Sequence, residues 1–204
     1  MVEPIAVAGV LLAGGRARRM GGGDKCLRRL GSETLLAHVI ARARDQVGPL
    51  ILNAGGDPAR FAAYGLPVVA DVIAGFAGPL AGVLTGLEWA AANAPACPWV
   101  ASFPTDAPFL PEDLVARLQA ALEAEGAELA CAASAGRDHP VVGLWPVRLA
   151  PELRRALEVD GVRKIDLWTA GFRLARARYD AAPVDPFFNV NSPQDLARAE
   201  ALVG

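Results

Sequence analysis

The chain has 204 residues, 20 basic and 22 acidic side chains, a formal charge of −2 and a 53% hydrophobic composition. That length suits one domain, residues 1–204, with a full core. The near-neutral charge excludes a general binder of nucleic acid or membrane surface, and no apolar run reaches the roughly 18 residues of a membrane span. Cys26, Cys97 and Cys131 lie far apart with no C-x-x-C pair, which excludes a disulfide framework and a zinc cluster. The opening "MVEPIAVAGVLLAGG" has no basic leader and reads as a strand, so a cytoplasmic protein is expected.

In chain order, Val7 to Ala13 is a continuous apolar run and predicts a buried strand ending at Gly14-Gly15. Leu35, Leu36, Val39, Ile40 and Ala43 recur at helical spacing, which predicts a helix from about Glu33 to Val47 with Ser32 as its N-cap. Short strands are expected at 50–53 and 66–70, the second ending at Asp71. A helix starts near Leu80. A strand from Trp99 to Phe103 stops at "PTDAPFLP", and a helix follows over 112–123. Strands are expected at 129–133, 141–145 and 172–179, with helical segments at 151–157 and 163–170. In "RDHP", Asp138-His139-Pro140 reads as a turn within reach of substrate. The end is a helix capped by Ser192, with Pro193 at its first position and Asp195 in the capping-box place.

Strands alternating with helices predict an α/β architecture: one three-layer, Rossmann-like domain with a mostly parallel sheet. Ligands of such sheets bind at the carboxyl ends of the strands. Three strands here end in notable residues, namely Gly14-Gly15, Asp71 and Asp106, and those ends should line one crevice.

The loop "LLAGGRARRMGGGDKCL" (11–27) combines bare backbone with Arg16, Arg18, Arg19 and Lys25. Glycine N–H groups form anion nests and the basic side chains add charge, a combination suited to polyphosphate. It is neither a P-loop nor a G-x-G-x-x-G fingerprint. Only Lys25 and Lys164 among the basic residues are lysines, so a lysine inside this loop stands out. From the residues alone, Lys25 is either a phosphate ligand or a solvated lysine. Asp106 in "PTDAP" is either a metal ligand or a turn aspartate.

"LAGGRARRMGGGDK" resembles the signature loop of molybdenum cofactor guanylyltransferases, nucleotidyltransferases of glycosyltransferase-A-like fold. The resemblance continues through "LILNAGGD", "DVIAGFAGPLAG", "PTDAPFLP", "RDHPVVGLW" and "FFNVNSPQDL". It implies GMP transfer from GTP to the terminal phosphate of molybdopterin, with release of pyrophosphate. It implies Lys25, Asp106 and Arg19 as catalytic residues, and Asp106 as ligand of Mg²⁺, with Mn²⁺ as a substitute. Leu12, Ala13, Gly14, Gly15, Lys25, Asn53, Asp71 and Asp106 would bind nucleotide, Gly14 leaving room for a purine. Gly78, Gly82, Asn189 and Asn191 would bind molybdopterin or molybdenum cofactor. Asn189 and Asn191 alternate on an extended segment and should face one side; on the residues alone they are equally cap and turn residues. The implied protein partners are a molybdenum-insertion protein and molybdoenzyme-specific chaperones. Thr105 departs from the cysteine frequent there in relatives. The alternatives are a cytidylyltransferase or sugar-phosphate nucleotidyltransferase of the same fold, and a non-catalytic nucleotide-binding cofactor carrier.

Overall fold

The structure is a computed structural model and describes residues 6–14, 24–73, 75 and 78–203. Its frame is a seven-stranded sheet. The strands are β1 (Val7–Leu12), β4 (Leu50–Asn53), β5 (Val68–Val69), β6 (Trp99–Pro104), β7 (Leu129–Ser134), β8 (Arg137–Pro146) and β9 (Leu174–Tyr179), ordered β5-β4-β1-β6-β8-β7-β9. A separate hairpin pairs β2 (Arg29–Leu30) with β3 (Glu33–Thr34). Every neighbouring pair in the large sheet is parallel except those made by β8, which runs against both β6 and β7. The mostly parallel α/β expectation therefore holds.

The central strands are apolar on both faces because helices cover both. Val7 and Leu11 point to a core shared with α1 (Leu35–Ala43) and α3 (Leu114–Glu125). Ala8 and Val10 point the other way, to a core shared with α2 (Pro79–Asn93), α4 (Ala150–Glu158) and α5 (Ile165–Thr169). A third, smaller cluster of Leu30, Leu35, Val190 and Ala199 seats the last helix, α6 (Pro193–Val203), beside the hairpin.

Several elements differ from expectation. The chain turns at Gly31, where φ is +61°, so Ser32 belongs to the β2–β3 turn. The N-cap of α1 is therefore Thr34, not Ser32: its Oγ1 accepts from Ala37 N–H at 3.1 Å. "RDHP" is strand and not turn. The reversal happens one step earlier, at Ala135 and Gly136, both with positive φ, which suits a two-residue hairpin turn. Pro140 is tolerated in β8 because the register shifts there. His139 pairs with Ala132 and Gly143 with Cys131, leaving 140–142 bulged out of the β7 ladder. The capping box at Ser192 forms as expected: Asp195 N–H donates to Ser192 Oγ at 3.1 Å, and Ser192 Oγ donates to Asp195 Oδ2 at 2.8 Å.

Helix α2 lies on the sheet through glycines. A Cβ on Gly86 would fall 2.8 Å from Val10 Cγ1 and 2.9 Å from its Cβ. The neighbour is a core side chain on the central strand and cannot swing away. Gly86→Ala should therefore destabilise the fold by about 1–3 kcal/mol through overpacking. Urea unfolding would show a lower midpoint at unchanged slope.

Candidate active site

The carboxyl ends of β1, β4, β5 and β6 open, with part of β8, onto one cavity of about 420 Å³. Leu12, Ala13, Gly14, Lys25, Asn53, Asp71, Gly78, Gly82, Asp106 and Asn189 all line it, so the fold gathers most of the expected residues in one place. Gly15 and Arg19, with Arg16 and Arg18, lie outside the described residues.

At the centre Lys25 Nζ stands 2.6 Å from Asp106 Oδ2, with the side chains 13% and 26% exposed. Nζ also donates to Asn191 Oδ1. Three segments are joined here. Lys25 opens the short 3₁₀ helix Lys25–Leu27. Just before it, Asp24 is held by Arg60, whose Nε is 2.5 Å from Asp24 Oδ2. Asp106 follows β6. Its backbone carbonyl accepts from Val190 N–H at 2.9 Å, which fastens the 187–191 segment beside it. Val190 is fully buried while Asn189 lines the cavity and Asn191 reaches Lys25. The alternation expected of the two asparagines is present, but they do different things: Asn191 meets the cation and Asn189 does not.

On one flank, Asn53 closes β4 and is 4% exposed. Its amide donates to Val69 O at 3.2 Å and to Asp71 Oδ1 at 3.0 Å, bracing the ends of β4 and β5. Thr85, wholly buried on α2, accepts from Val72 N–H at 3.1 Å and holds the same turn. Gly82 serves this brace directly. A Cβ there would sit 2.5 Å from Asn53 Oδ1 and 2.6 Å from Leu12 Cδ2. The close approach that Gly82 permits is thus between α2 and the strand ends. At Gly14 an added Cβ would meet nothing within 4 Å, so the cavity is open there. The Leu12 carbonyl accepts from Thr105 Oγ1 at 3.0 Å and the Ala13 N–H donates to Asn53 O at 2.9 Å. Both groups are already engaged, which narrows the backbone that this strand end offers a ligand. Thr105 has a definite task, tying β6 to β1.

On the other flank stand Asp138 and His139, which the sequence offered only as a turn within reach of substrate, and Ser134, Asp185 and Phe187, which it did not single out. His139, half-buried, packs against Phe187 with ring centres 4.8 Å apart and planes tilted by 38°. Its Nε2 lies 2.8 Å from Ser134 Oγ, which donates to Asp185 Oδ1 at 2.8 Å. Burial holds the imidazole below its ordinary pKa. Asp138 is paired with Arg176, whose Nε lies 2.9 Å from Asp138 Oδ2. The sequence signal for this flank was "RDHP", whose reading as a turn hid the fact that it forms a wall.

The family model described as MobA-like NTP transferase domain matches residues 9–171. The chain belongs to this nucleotidyltransferase family. Among relatives, the molybdenum cofactor guanylyltransferase of Rhodopseudomonas palustris (strain HaA2) is 57% identical, over 99% of this chain and 94% of its own length. The one from Bradyrhizobium sp. (strain ORS 278) is 58% identical, over 97% and 93%. The solved structure of molybdopterin-guanine dinucleotide biosynthesis protein A from Archaeoglobus fulgidus shares the fold, with a TM-score of 0.75 at 21% identity, covering 96% of this chain and 98% of that one. Among the described residues no helix is long and apolar enough to cross a membrane, and no group of three or more His, Cys, Asp or Glu side chains could hold a metal without help.

Cys26 also lines the cavity, beside Lys25. Burial, and then the charge of Asp24, push its thiol up to about 11. Burial pushes Cys131 up to about 12, and all three cysteines are free and buried. Neither Cys26 nor Cys131 is poised as a nucleophile, because the thiolate is the reactive form. Titration with a thiol reagent at neutral pH should find a small fraction of an equivalent in the folded protein. Denaturant should release all three.

Proposed function

We infer that the chain is a guanylyltransferase that moves GMP from GTP to the terminal phosphate of molybdopterin. One observation carries this reading beyond the names of its relatives: Lys25 and Asp106 meet at 2.6 Å in the cavity where the parallel strands end. An oxygen of the acceptor phosphate attacks the α-phosphorus of GTP, the bond to the bridging oxygen breaks, and pyrophosphate leaves with that electron pair. The acceptor oxygen is already ionised, so no general base is required. What remains is alignment and charge stabilisation.

Lys25 is suited to hold phosphate oxygens as a compact ammonium. Asn53 and Asp71 support the nucleotide flank, and Gly14 leaves space for the base. A divalent cation fits the donor set. Mg²⁺ characteristically takes one or two protein carboxylates and fills its shell with water and substrate phosphate, and Asp106 is a single carboxylate at a partly open site. When bound there the ion, Mg²⁺ or in its place Mn²⁺, would supply positive charge to the triphosphate. Asp106 would hold it, and Lys25 would be turned toward phosphate.

The reading is tested by pyrophosphate release from each nucleoside triphosphate in the presence of molybdopterin and Mg²⁺. GTP should support turnover, and CTP and ATP should not. Asp106→Ala should lower turnover at least about a hundredfold while leaving the unfolding midpoint near that of the parent. Lys25→Arg should fail to restore what Lys25→Ala loses, because a planar fork cannot replace an ammonium held between Asp106 and Asn191. Turnover of Asp106→Ala near the parent's would sink the assignment.

The two asparagines should separate kinetically. Asn191→Ala removes a partner of Lys25 and should lower kcat. Asn189→Ala should mainly raise the KM for molybdopterin, by about tenfold for one lost hydrogen bond. Titration of each substrate against each variant reads the difference, and identical profiles would rule the division out.

A further inference from the structure

We propose that His139 recognises the acceptor, through a lone pair on Nδ1 that the relay Asp185–Ser134 fixes in place. The inference rests on the guanylyltransferase reading and names a specificity group for it.

The argument begins with who can donate. Asp185 Oδ1 takes N–H from Phe187 at 3.0 Å and O–H from Ser134 at 2.8 Å. A carboxylate only accepts, so the single Ser134 proton is spent on Asp185. Ser134 Oγ, 2.8 Å from His139 Nε2, must then accept, and Nε2 must carry a hydrogen. In the neutral imidazole Nδ1 is consequently an acceptor. No described residue bonds Nδ1, and among the described residues no side-chain nitrogen or oxygen is buried without a partner. Nδ1 is therefore accessible, on a residue that lines the cavity. The relay is rigid: Ser134 is 3% exposed and Phe187 is buried against the ring.

Its side of the cavity follows from strand order. Asn53 ends β4, Asp71 follows β5, Asp106 follows β6, and His139 sits on β8, beyond β6. The Lys25–Asp106 pair lies between the two flanks. With nucleotide on the Asn53–Asp71 flank, the acceptor approaches from the side of His139. An acceptor-only nitrogen beside the Phe187 ring matches a flat heterocycle that presents an N–H. A reduced pterin does so, whereas a fully ionised phosphate, which only accepts, does not.

His139→Phe keeps the ring contact with Phe187 and removes the lone pair. It should raise the KM for molybdopterin about tenfold and leave GTP affinity within about twofold. Asp185→Asn lets the relay reverse, since its amide can donate to Ser134, and should raise the same KM. Tautomers are read directly by long-range ¹H–¹⁵N NMR at mildly alkaline pH, in a chain with two histidines; the His139→Phe spectrum assigns the signals. The expected result is hydrogen on Nε2 of His139 in the parent and a growing Nδ1–H population in Asp185→Asn. An Nδ1–H tautomer in the parent overturns the proposal, as does weakened GTP binding at an unchanged molybdopterin KM. If the parent itself does not turn molybdopterin over, the functional reading fails, and the NMR result still decides whether the relay fixes the tautomer.

Discussion

Lys25 and Asp106 are 81 positions apart in the chain and 2.6 Å apart in space. Everything around them is arranged to make that distance possible. Parallel pairing of β1 with β6 brings the carboxyl ends of both strands side by side. Thr105, bonded to the Leu12 carbonyl, sets the height at which the aspartate emerges. Arg60 fixes Asp24, the residue before the lysine, against the loop after β4. Val190, bonded to the Asp106 carbonyl, draws in the strand-like segment that supplies Asn191. A single ion pair of this kind adds little to stability when part-exposed. Its value is positional: it holds two groups of opposite charge at one place in the cavity.

Much of this frame could be read in the sequence because it depends on local pattern. The buried central strands show as unbroken apolar runs, and 50–53 was delimited to the residue. The capping box at Ser192 was legible because each of its bonds stays within four residues. What escaped depends on pairing at a distance. β2 and β3 are two residues each, too short for any periodicity, and their turn at Gly31 moved the cap from Ser32 to Thr34. "RDHP" carries turn residues, yet the turn is made by an alanine with positive φ, which composition does not predict. Gly82 was legible as a close approach but not as to what approaches, since Asn53 arrives from another strand. The candidate site was visible residue by residue on the nucleotide flank. On the other flank its members, Ser134, His139, Asp185 and Phe187, come from three separate segments and share no motif.

The antiparallel β8 explains why the cavity has two unlike flanks. A parallel strand beside β6 would present a strand end there, as β1, β4 and β5 do. β8 instead runs alongside with its length, and its bulge at 140–142 swells toward the cavity. The Val141 carbonyl in that bulge accepts from the buried Ser102 Oγ at 2.7 Å, so the wall is anchored in the sheet. One flank is built of strand ends, with backbone groups and short polar side chains suited to a nucleoside. The other is a wall with an aromatic ring, an imidazole and an amide, suited to a flat heterocycle.

Charge then constrains what can enter. Among the described residues, the charged side chains lining the cavity are one lysine against three aspartates, Asp71, Asp106 and Asp138. Arg176 neutralises Asp138 and Lys25 neutralises Asp106, so the described residues offer no surplus of positive charge to a triphosphate. A polyanion brought against these described residues without added cations would be repelled by Asp71 and would compete with Asp106 for Lys25. The missing charge has two sources consistent with the sequence: a divalent cation on Asp106, and the arginines at 16, 18 and 19 that follow Gly14-Gly15. On the proposed reading the resting ion pair is a placeholder: Asp106 would satisfy Lys25 until phosphate did, and Lys25 would satisfy Asp106 until a metal ion did. The two exchanges would be coupled, because drawing Lys25 away alone would leave the part-buried Asp106 carboxylate without its cation.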